Sequence, residues 1–185
     1  MANKVEFGIS NLHIGTYTEG TGGSVTMGTP YHQKGAVSFS PEESSERNVF
    51  YADNTEYYVA YTGGTFEGDL EVAIFDEKFK TDFLGYIKKA DGGIAQVKNA
   101  TKPKVYVAFQ VEGDDKSRRV IMYNCTFGAI TREFATTEES TEPATETIAV
   151  SVSGNNTNGV SMVSYLEGVT GYSTLFTNPP APTTT

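Results

Sequence analysis

The sequence has 185 residues, 38% of them hydrophobic, and no tryptophan, which suits one proper core and is short for two. The net charge of −9 and pI of about 4.7 exclude the basic footprint that direct DNA or RNA recognition requires. A single cysteine, Cys125, excludes an intrachain disulfide, and no apolar run approaches the ~20 residues of a membrane-spanning helix.

Eleven Tyr, eleven Phe and nineteen Gly, with many Val and Thr, favour strands, because aromatic and β-branched side chains fit a pleated, half-buried surface. Met1-Ala2-Asn3-Lys4-Val5-Glu6 lacks the apolar stretch of a signal peptide, so folding in a cytoplasm is expected. Residues 4–18 alternate through Val5, Phe7, Ile9 and then Leu12, Ile14, as one or two strands broken near Ser10-Asn11. After a Gly-rich turn at 19–23, residues 24–27 and 35–40 read as short strands. Residues 41–48 are polar and acidic, with Glu42, Glu43 and Glu46, and read as a long loop. Residues 49–51 and 56–62 look extended around a turn at Asp53-Asn54. Gly63-Gly64 then breaks the chain or makes a bulge, and Leu70, Val72 and Ile74 mark a half-buried strand.

One helix is predicted over about 76–84. Phe75, Phe79 and Phe83 recur every four residues and Leu84 joins their face. Asp76 is a natural N-cap and Gly85 fits the left-handed position past the end. So short a helix must dock its phenylalanines on the sheet. Asp91-Gly92-Gly93 is a turn. A hairpin follows, with Val105, Val107, Phe109 and Val111 on one face and Arg119, Ile121, Tyr123, Cys125 and Phe127 sharing a face of its partner. The connection is 113–117, where Asp114-Asp115 is turn chemistry. Residues 136–146 read as a mobile low-complexity loop. Ile148, Val150 and Val152 form a late strand, with 160–165 as its expected hairpin partner. Residues 178–185 read as a linker or frayed end. The sum is a mainly β fold, a β-sandwich or barrel with one short flanking α-helix, in one domain over 1–176 and a Pro/Thr-rich tail over 177–185.

Chemistry is hard to find. His13 and His32 are the only histidines, and no H-x-x-x-H, C-x-x-C, G-x-S-x-G or phosphate-loop spacing occurs. A glycosidase carboxylate pair would need rigid placement, whereas Glu42, Glu43, Glu46, Glu138 and Glu139 lie in polar stretches. Asn99-Ala100-Thr101, Asn124-Cys125-Thr126 and Asn155-Asn156-Thr157 match the glycosylation pattern but carry no weight without a secretion signal. No catalytic, cofactor or metal residue is assigned. Cys125 is expected to be a buried, inert thiol.

Read as a whole, Val49-Phe50-Tyr51-Ala52-Asp53-Asn54, Gly63-Gly64-Thr65-Phe66-Glu67-Gly68, Leu70-Glu71-Val72-Ala73-Ile74, Phe83-Leu84-Gly85-Tyr86, the hairpin at 104–127 and Phe127-Gly128 resemble, in order and spacing, the major tail proteins that form the tail tube of long-tailed phages of Gram-positive hosts. The resemblance implies a small β-sandwich with a flanking helix and no enzyme activity. Its subunits close into hexameric rings stacked around the tape measure protein, end on tail terminator and distal tail proteins, and later pass DNA without binding it specifically. The site implied is a virion tail assembled in the host cytoplasm. The stretch 41–55, with Glu42, Glu43, Glu46, Arg47, Asp53 and Asn54, would reach the adjacent ring or subunit. The hairpin 104–127 and the strands at 35–40 and 56–62 would line the tube. If lumen-facing residues alternate opposite Val105, they are Lys104, Tyr106, Gln110 and Glu112. Some relatives carry an immunoglobulin-like module after the tube domain; here it is either lacking or cut at the linker. Two rivals share parts of this reading: an inner-tube protein of a contractile tail or type VI secretion machine, and a carbohydrate-binding or carbohydrate-cleaving β-sandwich using Tyr57, Tyr58 and Tyr61.

Overall fold

The structure is a computed structural model describing residues 4–113, 115–133 and 143–184. Expectations for Met1–Asn3, Asp114, Glu138, Glu139 and the rest of 134–142 lie outside the described residues. Eleven strands and two α-helices follow in chain order: β1 (Glu6–Glu19), β2 (Val25–Met27), β3 (Tyr31–His32), β4 (Ala36–Ala52), β5 (Thr55–Val72), α1 (Glu77–Leu84), β6 (Ile87–Lys88), β7 (Ile94–Ala95), β8 (Val105–Gly113), β9 (Arg118–Arg132), β10 (Glu146–Val152), β11 (Met162–Leu166) and α2 (Thr170–Thr174). Nine strands make one antiparallel sheet in the order β2-β1-β8-β9-β10-β5-β4, with β3 on β1 and β11 on β9. β6 and β7 form a separate hairpin.

Two of the sheet's bulges set which residues its cores receive. Asn11, at φ 51°, lets three residues of β1 span two of β8. The predicted break is therefore a kink within one strand, and it turns both Leu12 and Ile14 inward. Asn124, at φ 53°, does the same in β9 opposite Val105 and Val107, and its amide donates to the Gly154 carbonyl at 2.7 Å. This overturns the single face expected for Arg119 through Phe127. Ile121 and Tyr123 belong to one core, while Met122, Cys125 and Phe127 belong to the other.

The larger core lies between the curled sheet and α1. The helix forms as its sequence dictates. The Asp76 carboxylate accepts from the Phe79 N–H at 2.8 Å, and Gly85 takes a left-handed φ of 68°. Phe75, Phe79, Phe83 and Leu84 are all buried. The Phe79 ring is central, with centroids 4.4 Å from Phe75, 5.5 Å from Phe83 and 5.3 Å from Phe127. Beneath the helix, buried Glu146 accepts from the Phe75 N–H at 2.7 Å and pairs with Arg132 at 2.7 Å and Lys80 at 3.3 Å, so its charge is compensated from both helix and sheet.

The second core lies on the other face of β8–β9. Tyr17, Tyr106, Ala108, Ile121 and Tyr123 are covered by Leu175. Gly15 is required there, because a Cβ would stand 2.4 Å from the Tyr106 hydroxyl. The tail reading changes accordingly: Pro179 and Pro182 are buried, the Tyr123 hydroxyl donates to the Pro180 carbonyl at 3.0 Å, and the Asn158 amide donates to the Pro182 carbonyl at 2.9 Å. Residues 175–182 are thus packed, not frayed. Two further expectations are corrected. β11 pairs with β9, not β10, because β9 is long enough to hold both in line on one edge. A second short helix, α2, precedes the packed tail.

Replacing Phe79 by Ala removes the contact shared by all three other rings. It is expected to cost roughly 3–5 kcal/mol, read as a lowered urea midpoint with an unchanged slope.

Candidate assembly surface

The largest correction concerns residues 41–48, which form strand rather than loop, while the expected extended stretch at 49–51 and turn at Asp53-Asn54 stand. β4 and β5 pair from Ala36↔Val72 to Ala52↔Thr55. Asp53 and Asn54, at φ 52° and 57°, make the two-residue turn with both central residues left-handed that matches strand twist. The Gly63-Gly64 expectation resolves to a bulge, with Gly64 at φ 99° and its N–H donating to the Glu43 carboxylate at 3.1 Å.

β10 supports β5 only over Phe66–Val72. Beyond that, residues 55–65 of β5 and 44–52 of β4 run on as a two-stranded arm, ~30 Å long at the usual rise. Tyr51 faces Glu56, and Arg47 pairs with Glu56 at 2.5 Å on the same face. Such an exposed pair is worth at most about 1 kcal/mol. Glu42, Glu43, Glu46, Arg47, Asp53 and Asn54 are all brought onto this hairpin. Tyr57, Tyr58 and Tyr61, which by sequence fit either sugar stacking or a subunit interface, lie on this hairpin with other open aromatic residues: Phe50 is 61% exposed, Tyr57 73% and Tyr61 69%, with Tyr51 and Tyr58 also open. Aromatic residues clustered on an otherwise polar protrusion signal an interface.

At the arm's base, the outer sheet face bears a carboxylate row. Register places Ser38, Ser40 and Glu42 of β4 beside Glu71, Asp69 and Glu67 of β5, and those beside Thr147, Ala149 and Ser151 of β10. They line a shallow groove of about 750 Å³. Hydrogen bonds from Thr145 and Ser38 hold the Glu71 carboxyl below its ordinary value. The period-two spacing Glu67-x-Asp69-x-Glu71 was the available signal.

The four residues expected opposite Val105 do not make an open row. Tyr106 is fully buried, its hydroxyl donating to the Gly28 carbonyl at 2.9 Å, so it cannot face a lumen from the folded subunit. Gln110 and Glu112 are half-buried and bonded to each other at 2.7 Å, and Arg119 donates to Gln110 at 3.1 Å. Hydrogen bonds from Ser117, Gln110 and Ser10 hold the Glu112 carboxyl low. Lys104 is exposed and donates to Thr126 at 2.7 Å.

A stack pins the C-terminal segment over this face. His13 lies 4.6 Å from His32 and 4.3 Å from Phe176, and the Arg119 guanidinium sits 4.3 Å over Phe176 and 4.1 Å over Tyr172. Cys125, the lone thiol, is buried, and burial pushes it up to about 12. Among the described residues no cluster of His, Cys, Asp and Glu could hold a metal ion, and no helix is long and apolar enough to cross a membrane.

The comparisons define the class. The chain belongs to the phage tail tube protein family, whose model matches residues 2–161, and it is a structural tail tube component. No curated protein sequence matches it. In fold it is similar to a chain of an extracellular contractile injection system, the PVC sheath-tube complex in its extended state (TM-score 0.50, 9% identity, 84% of this chain and 88% of that one). It is similar too to the anti-feeding prophage cap, the AFP tube terminating cap (0.50, 9%, 89% and 95%). The third is the PVC sheath/tube terminator in the extended state (0.53, 9%, 89% and 99%).

Burial, the main cause, lowers the His13 pKa below 6.5, and the His32 and Arg119 charges lower it further against a raising hydrogen bond to the Asn11 carbonyl. A depressed folded value means the segment's contribution is full above pH ~6.5 and is lost as pH falls through the folded pKa. Hydrogen-exchange protection across 170–182, after correction for the intrinsic pH dependence of amide exchange, is therefore expected to fall below pH ~6.5, and to do so less in His13→Phe.

Proposed function

We propose that this chain builds a non-contractile phage tail tube from hexameric rings of identical subunits and catalyses no reaction. The observation carrying this reading is the β4–β5 arm. An isolated two-stranded hairpin is marginal in water, and this one exposes aromatic side chains that a neighbouring subunit would cover. β4 also ends the sheet order with its far edge unpaired among the described residues, and ring closure would satisfy that edge.

In this reading the lumen is lined by the face bearing Glu42, Glu67, Asp69 and Glu71, whose charge would keep transiting DNA from adhering. The tube would enclose a tape measure protein, meet terminator and distal tail proteins at its ends, and assemble in the host cytoplasm before becoming part of the virion. The contractile alternative requires a sheath on the outer surface. The injection-system likeness is one of fold and does not favour that alternative.

Purified protein is expected to form rings or tubes under negative-stain microscopy. Replacing residues 46–61 with a two-residue Asn-Gly turn should leave a folded monomer, shown by a cooperative thermal transition and its gel-filtration volume, that grows no tubes. Normal-length tubes from that variant would refute the arm's role.

A further inference from the structure

The chain's charge is strongly segregated. Over 41–65 there are five carboxylates and one arginine, a net of −4. Over 77–104 there are seven lysines against three carboxylates, a net of +4. Half of the chain's fourteen basic residues thus lie in the segment holding α1 and the β6–β7 hairpin. Lys88, Lys89 and Lys98 are exposed there, and so are Ile87 and Val97. Beside them, Leu84, Tyr86, Val97, Lys98, Lys102 and Ile130 line a cleft of about 240 Å³. That is below the roughly 300–1,000 Å³ of small-molecule sites and suits a protruding side chain better than a free ligand.

We infer that this basic, partly apolar belt is the receptor for the acidic, aromatic β4–β5 arm of a second copy of the chain. The two surfaces are opposite in sign and equal in magnitude, and each offers exposed apolar groups among its charges, which is the anatomy of a specific interface. The arm is long and narrow, and its tip carries Phe50, Tyr51, Tyr57 and Tyr58 on the two strands flanking the turn, with Asp53 and Glu56 beside them; a neighbour's cleft takes a tip aromatic while the lysines meet the carboxylates. The pairing is heterologous, arm to belt, so it propagates from copy to copy instead of closing a dimer. It rests on the tube reading and specifies the contact that would hold the tube together.

The test uses the full chain in assembled form, as an equal mixture of isotopically light and heavy protein. A zero-length carbodiimide joins a carboxylate to an amine only where they touch. Light–heavy peptides are expected to link Glu46, Asp53 or Glu56 to Lys88, Lys89 or Lys98; arm links confined to lysines outside 77–104 overturn the proposal. In parallel, Lys88→Glu with Lys98→Glu is expected to fold normally but lose its pelletable tubes. Glu46→Lys with Glu56→Lys should do the same, and the two pairs combined in one chain should regain tubes. Full-length tubes from the Lys88→Glu/Lys98→Glu chain also overturn it. Should the wild-type chain form no tubes, the tube reading falls by itself. The same cross-linking on concentrated free protein then decides the arm–belt contact: light–heavy links uphold it, and their absence overturns it.

Discussion

The β8–β9 hairpin is buried on both faces, and the rest of the molecule is arranged to make that possible. One layer cannot cover two faces of a sheet. α1 and the curled outer strands cover Val105, Val107 and Phe109 on one side, while Leu175 and the segment around it cover Tyr106, Ile121 and Tyr123 on the other. β9 serves both by alternation, Val120 and Met122 towards one core and Ile121 and Tyr123 towards the other, and the Asn124 bulge shifts that alternation by one residue so that Cys125 and Phe127 rejoin the first core. The tyrosines on the second face bring hydroxyls into a dry place, and each finds an acceptor: Gly28 for Tyr106 and Pro180 for Tyr123.

Away from this hairpin the sheet changes character. β5 gains the support of β10 only from Phe66 onward, and before it runs with β4 as a ribbon whose aromatic side chains are open to water. The stability of the domain and its capacity to assemble are thereby separated in space: the cores hold the fold, and the arm contributes little to it. A protein organised this way can lose its arm chemistry without losing its structure. The fold-level likeness to tube and terminator chains at 9% identity fits a scaffold held by its cores and varied at its contacts.

What the sequence disclosed followed from where one face is buried and the other wet. α1 was legible because phenylalanine at four-residue spacing, an Asp cap and a trailing glycine agree with one another. The strands holding Leu70, Val72, Ile148, Val150 and Val152 were legible for the same reason. Residues 41–48 were not, because neither face of the arm packs on the domain and the period-two signal has no buried side to report. Tyr106 was misplaced because a tail rich in Pro and Thr has the composition of a linker, and only the fold reveals that Leu175, Pro179 and Pro182 are seated. β11 was assigned to the wrong neighbour because sequence proximity favours hairpins, whereas the length of β9 decided the pairing.

Cys125 lies beside the bulge, where the two cores meet, and is wholly enclosed. With its thiol held in the protonated form, a maleimide in the surrounding solution has no thiolate to attack and no path to the sulfur. Labelling then requires the β8–β9 region to part. The chain therefore carries a built-in clock for the opening of its own centre, one chemical event per subunit, whose rate in a free subunit and in an assembled particle would measure how much each neighbour slows that opening.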